Sequence, residues 1–265
     1  MKIRLDVALT EQGLAPSREK AKALIMAGQV YVDGQKAYKA GEMIEDTQSL
    51  TVKEDLPFVS RGGYKLEKGI KVFGINLQDK ICVDIGASTG GFTDCMLQNG
   101  AKRVYAVDVG YGQLDWKLRS DERVVVLERT NARYLTEKEI PERADFLSAD
   151  VAFISLNTAL STAVDLLSDS AELMVLIKPQ FEAGREFVGK KGVVKDKKVH
   201  YDVIVRVCEQ MIAKGLTLLD LDFSPIKGPE GNIEYLLYMT KRQETSMDYL
   251  TKAKEITEAS HTTLD

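Results

Sequence analysis

Five apolar runs separated by helix-length segments constrain the fold of this chain more than any other feature of its sequence. The runs span residues 81–87, 103–110, 123–130, 144–155 and 171–179, and the helices predicted between them include 91–99 and 156–168. Strands that are apolar along their whole length are typical of a parallel sheet that helices cover on both faces. The sequence therefore predicts an α/β domain with a Rossmann-like, mostly parallel sheet.

The end of this domain departs from the parallel pattern. A helix is predicted around residues 197–214, followed by strands at 217–224 and 234–239 that a short loop with glycine and proline joins. A parallel connection needs a crossover of about a dozen residues or more, usually a helix, and this loop is too short for one. We therefore expect the last strand to be antiparallel. Residues 243–265 hold five acidic side chains and two lysines, and we interpret them as an acidic C-terminal tail.

The first 59 residues have a different pattern, which predicts a separate small α+β domain. Two helices, near residues 5–14 and at 17–28, precede strands at 29–32, 35–38 and 49–54. Asp33 and Gly34 form the tight turn between the first two of these strands. The predicted boundary lies at 55–60, so that the second domain spans residues 60–242.

Composition and charge exclude several classes of protein. The chain has 265 residues, a formal net charge of −4 and 29% charged side chains, which argues against a protein that coats nucleic acid through bulk charge. Its three cysteines lie far apart and its two histidines belong to no cluster, so neither a disulfide framework nor a metal site is expected. The apolar runs are too short for a membrane span, and the charged N-terminus is unlike a signal peptide. We therefore expect a cytoplasmic protein that needs no metal and no membrane.

A glycine-rich turn joins the first strand of the second domain to the helix that follows. Such a turn, at the carboxyl edge of a parallel sheet, lets the backbone approach a nucleoside-bearing ligand closely. Asp108 ends the next strand 22 positions after Gly86, where a carboxylate can accept hydrogen bonds from ribose hydroxyls. The predicted cofactor-binding residues are Asp84, Gly86, Ser88, Thr89, Gly90, Gly91, Phe92, Asp108, Asn131 and Asp150. The alternative is a tight turn that binds no ligand.

The spacing and charge of this turn favour one kind of nucleoside. Dinucleotide-binding folds use GxGxxG, with a helix N-terminus that faces a pyrophosphate. Here the pattern is GxxxGG, and Asp84 stands just before it. A carboxylate at the mouth of the turn would repel a pyrophosphate but would suit a cation. S-adenosylmethionine carries a sulfonium and an amino group and is the predicted cofactor, while a nicotinamide-dependent oxidoreductase remains the alternative.

Four further polar residues are predicted at strand or helix ends near the same edge of the sheet: Lys65, Asp150, Lys178 and Glu234. Lys178 is the most informative, because it follows a buried strand and precedes Pro179. A lysine flanked by carboxylates could deprotonate or orient a weakly acidic hydroxyl. Taken singly, each residue could instead be a solvated charge or part of a structural ion pair.

The chain resembles known families over about nine-tenths of its length. Residues 3–50, with RLDVAL and AGQVYVDG, look like an S4-type RNA-binding domain, and residues 60–240 resemble the RrmJ/FtsJ-like ribose methyltransferases. The combination, with SRGGYKL, DIGASTGGFTD and GPEGNIEY, resembles the TlyA (haemolysin A-like) family. The family's Lys-Asp-Lys-Glu tetrad carries over to Lys65, Asp150, Lys178 and Glu234. Asn131 departs from the family pattern, since related methyltransferases often have Asp there.

This resemblance implies an enzyme that transfers methyl from S-adenosylmethionine to a cytidine ribose 2′-hydroxyl in ribosomal RNA, within ribosomal subunits. Lys178 would contact the attacking oxygen, as a base or as an electrostatic stabiliser, while Asp150 and Glu234 orient it and Lys65 completes the network. A pore-forming toxin, which the haemolysin name suggests, is disfavoured because the sequence offers neither a membrane span nor a strongly basic amphipathic helix.

Local charge indicates where RNA would bind. Residues 1–30 hold five basic and three acidic side chains, whereas residues 31–60 hold three basic and six acidic ones. We therefore expect the two N-terminal helices to face phosphates and the small sheet to turn away. The predicted RNA-binding residues are Arg4, Arg18, Lys20 and Lys22, together with Lys190 and Lys191 in the loop that follows Lys178. The alternative for both regions is a surface that is merely solvated.

Overall fold

The computed structural model describes residues 2–26, 28–37, 39–52 and 57–264. Residues divide into two units, Met1–Pro57 and Phe58–Asp265, so the boundary lies within two residues of the one predicted. Parts of the predicted elements, at Ala27, Tyr38, residues 53–55 and Asp265, lie outside the described ranges.

The small unit consists of two helices and short antiparallel strands, as predicted. Its elements are β1 (Lys2–Arg4), α1 (Leu5–Glu11), α2 (Arg18–Met26), β2 (Val30–Val32), β3 (Gln35–Lys36), β4 (Met43–Glu45) and β5 (Leu50–Val52). β2 pairs with β3 and with β5, and Asp33 adopts a positive φ of 49° in the turn between β2 and β3. The pairing of β1 with β4 was not predicted. Leu5, Leu9 and Ile25 are fully buried and form the centre of this unit.

The large unit alternates strands and helices. Its elements are α3 (Gly62–Phe73), β6 (Ile81–Ile85), α4 (Gly91–Gln98), β7 (Arg103–Val107), α5 (Trp116–Arg119), β8 (Val124–Leu127), β9 (Ala144–Ala149), α6 (Leu156–Ala159), β10 (Leu167–Ile177), α7 (Pro179–Glu182), α8 (Lys197–Ala213), β11 (Thr217–Phe223), β12 (Tyr235–Thr240) and α9 (Tyr249–Leu264). Short 3₁₀ turns lie at Ala132–Tyr134, Ala163–Leu166 and Arg185–Phe187.

Seven of these strands form one sheet in the order β11-β12-β10-β9-β6-β7-β8. β6, β7, β8, β9 and β10 are parallel, and β12 is antiparallel to both β10 and β11, which confirms the predicted reversal. Side chains alternate between the two faces: Val83 and Ile85 join one buried cluster with α8 and α9, while Cys82 joins the other with α3 and α4. The carboxyl ends of the parallel strands therefore meet at one edge.

The helix predicted over 156–168 is wrong. α6 ends at Ala159, a 3₁₀ turn follows, and β10 begins at Leu167, which pairs with Ala144 of β9. The segment is rich in serine and threonine, whose hydroxyls compete with the helical hydrogen bonds. Ser155 Oγ accepts from Thr158 N, and Thr162 Oγ1 donates to the carbonyl of Ala132 at 3.1 Å.

Residues 243–265 are not a peripheral tail, because most of them form α9, whose inner face is buried. Ala253 is fully buried and Ile256 is 5% exposed, and both belong to the cluster shared with α8 and β11. Ser260 is fully buried and its hydroxyl lies 3.1 Å from Tyr235 Oη of β12. Two of the acidic residues that suggested a tail, Glu255 and Glu258, lie on the exposed face of α9. None of the helices in the described part of the chain is long and apolar enough to cross a membrane.

Candidate active site

The turn between β6 and α4 adopts a conformation that only small residues fill without strain. Gly86 and Gly90 have φ values of 81° and 97°, and Ser88 has a φ of 49°. A Cβ on Gly86 would stand 2.5 Å from the carbonyl oxygen of Asp150, and one on Gly91 would stand 2.8 Å from the backbone nitrogen of Gly63. These glycines therefore let the turn pack against the end of β9 and the start of α3.

A cavity of about 340 Å³ opens beside this turn, at the carboxyl edge of β6, β7 and β8. The two carboxylate oxygens of Asp108 fix the backbone at the rim of this cavity. Oδ2 accepts a hydrogen bond from Ser88 N and Oδ1 accepts one from Gly110 N, both at 2.7 Å. The volume falls in the range of small-molecule sites. The walls are mostly apolar and consist of Ile85, Gly86, Ser88, Val107, Asp108, Val109, Gln113, Thr130, Asn131, Ala132, Val151, Ala152, Phe153, Ile154 and Ala159.

The predicted cofactor residues occupy two positions relative to this cavity. Gly86, Ser88, Asp108 and Asn131 line it, and the Asn131 side chain also accepts a hydrogen bond from Arg133 N at 3.1 Å. The described cavity wall does not include Asp84, Thr89, Gly90, Gly91, Phe92 or Asp150. Gly90 instead packs against Leu118, and Phe92 is buried in the cluster between α3 and α4.

Asp84 lies beneath the turn and not at its mouth as expected, because its carboxylate is turned into the protein; its part in cofactor binding stays a prediction. Its side chain is fully buried and accepts hydrogen bonds from Thr93 Oγ1 at 2.7 Å and Ser148 Oγ at 3.0 Å. Burial raises the pKa of the Asp84 carboxyl to about 6, although the two hydroxyls partly offset this effect. Asp84 therefore ties β6, β9 and α4 together under the cavity.

The structure brings together all four residues of the predicted polar constellation. Lys65 Nζ donates to Glu234 Oε2 at 2.6 Å and lies 3.5 Å from Asp150 Oδ2, while Lys178 forms an ion pair with Asp150 Oδ1. Because the Asp150 carbonyl packs on Gly86, this chain of charges lies next to the glycine turn. Their order is Lys178, Asp150, Lys65, Glu234.

The two ends of this chain of charges differ in how deeply their side chains are buried. Glu234 and Lys65 side chains are 1% and 8% exposed, whereas those of Lys178 and Asp150 are 12% and 19% exposed. Burial lowers the pKa of Lys65, but the nearby carboxylates of Asp150 and Glu234 outweigh it, so that the pKa is raised above its usual value. Lys65 therefore stays protonated and contacts both carboxylates, while Lys178 is the more exposed of the two lysines.

Two aromatic residues that sequence reasoning missed lie next to Lys178. Phe153 is 91% exposed, lines the cavity and has a positive φ of 63°, which is unusual for an aromatic residue. Its ring centroid is 4.9 Å from that of Phe181, and Lys178 Nζ is 5.9 Å from the Phe181 centroid. An available signal was the position of each aromatic, three residues after Asp150 and Lys178 respectively.

The predicted RNA-binding residues of the small unit differ in their surroundings. Asp6 is fully buried and accepts hydrogen bonds from Arg4 at 3.0 Å and Arg18 at 3.2 Å, which hold the pKa of its carboxyl at about 2. Arg4 and Arg18 therefore have a structural role, although their side chains stay 45% and 54% exposed.

The predicted lysines are all on the surface. Lys20 and Lys22 lie on the exposed face of α2, and Lys190 and Lys191 are exposed in the loop after the 3₁₀ turn Arg185–Phe187. Over the described ranges, no group of three or more histidine, cysteine or acidic side chains is arranged to hold a metal ion.

Comparisons with known proteins agree with this site. A family model described as FtsJ-like methyltransferase matches residues 58–241, and one described as S4 domain matches residues 3–48. A Bacillus subtilis protein with the provisional name rRNA methyltransferase YqxC is 56% identical over 240 residues, which cover 90% of this chain and 85% of that protein.

Two further relatives extend over nearly the whole chain. The 16S/23S rRNA (cytidine-2′-O)-methyltransferase TlyA of Mycobacterium tuberculosis is 44% identical over 260 residues, which cover 97% of this chain and 96% of that protein. A Streptococcus thermophilus protein of known structure, provisionally described as a hemolysin, is 46% identical with a TM-score of 0.77; the match covers 98% of this chain and 96% of that one.

Proposed function

We propose that this chain, which belongs to the FtsJ-like methyltransferase family, transfers a methyl group from S-adenosylmethionine to the 2′-hydroxyl of a cytidine in ribosomal RNA. The observation that carries the proposal is the joined set of Lys65, Asp150, Lys178 and Glu234 beside the glycine turn. The name of the Mycobacterium tuberculosis relative supplies the cytidine and the ribosomal RNA, and the S4 match supports an RNA substrate.

The cavity fits S-adenosylmethionine in chemistry and size. Asp108 offers carboxylate oxygens at its rim for ribose hydroxyls, and Val107, Val109 and Ala132 offer an apolar wall for adenine. Asn131 offers an amide that can hydrogen-bond the base edge. When bound, the cofactor supplies a methyl group on a positively charged sulfur. Thr89 and Gly90 complete the turn, and Gly91 and Phe92 begin α4, so these four residues would shape the site without lining the cavity. Asp84 would hold the turn from below.

The reaction requires the 2′-oxygen to form a bond to the methyl carbon as the carbon–sulfur bond breaks and its electron pair returns to sulfur. The hydroxyl must also lose its proton, which passes to solvent water when Lys178 is itself protonated. We place Lys178 at the attacking oxygen, where its ammonium, paired with Asp150, stabilises the negative charge that develops. Lys65 keeps Asp150 and Glu234 in place, because it contacts both. The alternative is a neutral Lys178 that accepts the proton directly.

The exposed aromatic pair gives the target nucleotide a place to bind. RNA-modifying proteins read unstacked bases largely by stacking on aromatic rings. Phe153 lines the cavity and pairs with Phe181, whose ring centroid lies 5.9 Å from Lys178 Nζ. A cytosine stacked on Phe153 would bring its own ribose towards Lys178, which fits a reaction at the 2′-oxygen.

Labelling and mapping test the proposed function directly. Purified ribosomal subunits lacking the modification are incubated with the protein and radiolabelled S-adenosylmethionine, and the labelled position is mapped by nuclease digestion and mass spectrometry. We expect label at a cytidine ribose with wild-type protein and none with the K178A variant. Label on a base, or in no RNA at all, would refute the proposal.

A thermal-shift comparison separates the methyltransferase from the nicotinamide-dependent alternative. S-adenosylmethionine and S-adenosylhomocysteine should each raise the melting temperature, because they bind the folded state only. NAD should leave it unchanged. The D108A variant provides the matched control, since it should lose the shift without losing the fold.

A further inference from the structure

A second cleft lies in the large unit, beside the loop that follows Lys178 and α7. Its volume is about 590 Å³, and Lys190, Lys191 and Lys195 contribute to its wall together with Phe187, Asp196 and Glu230. All three lysines are exposed, and the Phe187 side chain is 51% exposed. One of the two carboxylates is already engaged, because Asp196 Oδ1 accepts from Lys198 N at 2.8 Å. The cleft therefore offers three ammonium groups, against two carboxylates, and an accessible ring to an anionic ligand.

Two buried side chains hold this loop in place, Asn232 and His200, and His200 Nε2 lies 2.9 Å from the Val194 carbonyl. Asn232 is 2% exposed; its Nδ2 donates to the carbonyl of Gly192 at 2.8 Å and its Oδ1 accepts from Val194 N at 3.1 Å. Both polar atoms of the amide are thus satisfied by the backbone of the lysine-bearing loop. Since buried hydrogen bonds of this kind are costly to leave unmade, Asn232 and His200 together fix the conformation of the loop, and Asn232 alone contacts it at both Gly192 and Val194.

The same residue belongs to the turn that packs on the active-site glutamate. The Asn232 carbonyl accepts from Gly228 N at 2.9 Å, and Gly228 lies so close to Glu234 that a Cβ there would stand 2.7 Å from Oε1. Glu234 in turn accepts from Lys65 at 2.6 Å. A continuous series of contacts therefore runs from the lysine loop through Asn232 and Gly228 to the polar constellation.

We propose that this cleft binds the phosphodiester backbone of RNA next to the modified nucleotide, and that Asn232 is the positioning residue that keeps the cleft in register with Glu234. The inference rests on the proposed function, because it gives that same reaction a second point of contact with its substrate. RNA suits the cleft because phosphates pair with exposed lysines, and a flanking base or sugar can pack on Phe187. A protein ligand with acidic side chains would use the lysines alone.

The first experiment removes the charges of the cleft. The variant K190A/K191A/K195A is compared with K71A/K102A/K138A, which loses three exposed lysines elsewhere on the same unit. We expect the cleft variant to raise the KM for ribosomal subunits by about tenfold or more, and to flatten the plot of log affinity against log salt by about 2 to 3, since each lost phosphate contact contributes about 0.7 to 0.9. The KM for S-adenosylmethionine should stay unchanged.

The second experiment tests whether Asn232 acts through the loop. N232A alone should raise the KM for ribosomal subunits with no change in cofactor affinity, and should add little when combined with the cleft variant. N232D keeps the acceptor for Val194 N but sets a buried carboxylate oxygen against the Gly192 carbonyl, so its effect should be at least as large as that of N232A. Circular dichroism and thermal melting verify that each variant folds, and the cleft variant tests the binding claim independently of Asn232.

The outcomes separate this inference from the proposed function. If wild-type protein methylates no RNA, the proposed function itself fails. If wild-type protein is active but the cleft variant behaves like its control, RNA does not bind in the cleft. If N232A and the cleft variant lose affinity additively, or if N232A weakens cofactor binding equally, Asn232 is not a positioning residue for the loop.

Discussion

At the scale of single residues, Lys178 allows the two roles of an active-site lysine to be separated. Arginine retains a positive charge but does not deprotonate in proteins, whereas alanine removes both the charge and the proton-accepting amine. If the ammonium stabilises the developing charge, K178A should lower kcat by about 10²- to 10³-fold and K178R should remain clearly more active than K178A. Single-turnover methylation of ribosomal subunits measures both.

The control for this prediction is cofactor binding. Calorimetry should give the same affinity for S-adenosylmethionine in wild type, K178A and K178R, since Lys178 is not part of the described cavity wall. Equal inactivity of both variants would assign Lys178 as the base. Loss of cofactor affinity in both would make it a structural residue.

Asp84 leads to a prediction about pH and stability. Its pKa rises from 3.8 to about 6 on folding, so the folded chain binds this proton more tightly than the unfolded chain does. The protonated carboxyl favours folding below pH 4, and this contribution is lost as the pH rises from about 4 to 6, by about 3 kcal/mol in total. Relative to wild type, D84N should therefore become more stable as the pH increases over that window.

Urea unfolding at pH 4.5, 5.5 and 7 measures this difference. Only the change in the wild-type-minus-variant free energy with pH matters, because other titrating groups contribute to both proteins equally. Asp6 does not interfere, since its lowered pKa places its own loss of stability below about pH 4. A difference that stays constant from pH 4.5 to 7 would contradict the assigned environment of Asp84.

At the scale of elements, α9 is an integral part of the large unit. Ile256 is 5% exposed on its inner face, whereas Glu255, its neighbour, is exposed. I256A should lower the free energy of unfolding by about 2–4 kcal/mol because it leaves a cavity, and E255A should change it by less than about 0.5 kcal/mol. Thermal or urea unfolding distinguishes them. Equal, small effects would restore the interpretation of this segment as a tail.

The strands could be predicted closely from sequence, and the reasons also explain the errors. Buried parallel strands are apolar along their length, so 81–87 and 217–224 were located to within two residues of β6 and β11. The helix predicted over 156–168 is wrong because the strand pairing of Leu167 with Ala144 overrides the local helix propensity. α9 could not be recognised from an apolar stripe, because most of its buried residues are small or polar, as Ala253 and Ser260 are.

The candidate site, like the fold, could be predicted from sequence only in part. Asp150 and Lys178 could be grouped from sequence, because each follows the carboxyl end of a parallel strand and these ends meet at one edge. Glu234 joins them because the antiparallel β12 begins at that edge, and Lys65 comes from α3. The depth of Asp84 could not be predicted, since it depends on hydroxyls of Thr93 and Ser148 that come from two other elements. Phe153 adopts a positive φ, and nothing in the sequence predicts this conformation for an aromatic residue.

At the scale of the whole molecule, the balance of charge predicts which face of the small unit binds RNA. Lys20 and Lys22 lie exposed on α2, whereas Lys36 and Lys39 belong to the region of the small sheets, where acidic residues dominate. K20A/K22A should weaken binding of ribosomal RNA and flatten the salt dependence by about 1.4 to 1.8. K36A/K39A, which loses the same charge, should leave both unchanged.

Filter binding over a series of salt concentrations measures both slopes. Arg4 and Arg18 are avoided as targets because their loss would leave Asp6 buried and unpaired, which would destabilise the unit itself. Similar slopes for the two lysine pairs would mean that the sheet contacts RNA as much as the helices do.

The contact between Gly86 and the Asp150 carbonyl has a consequence for any attempt to change the transferred group. A sulfonium donor that carries ethyl or allyl needs extra space, and this wall cannot recede, because it is backbone against backbone and also supports the aspartate paired with both lysines. Space can come only from replacing a side chain by a smaller one. Phe153 has the largest side chain of the cavity wall, and it is 91% exposed. Redesign towards bulkier alkyl donors therefore begins at Phe153, and a smaller side chain there would weaken the proposed stacking of the target base.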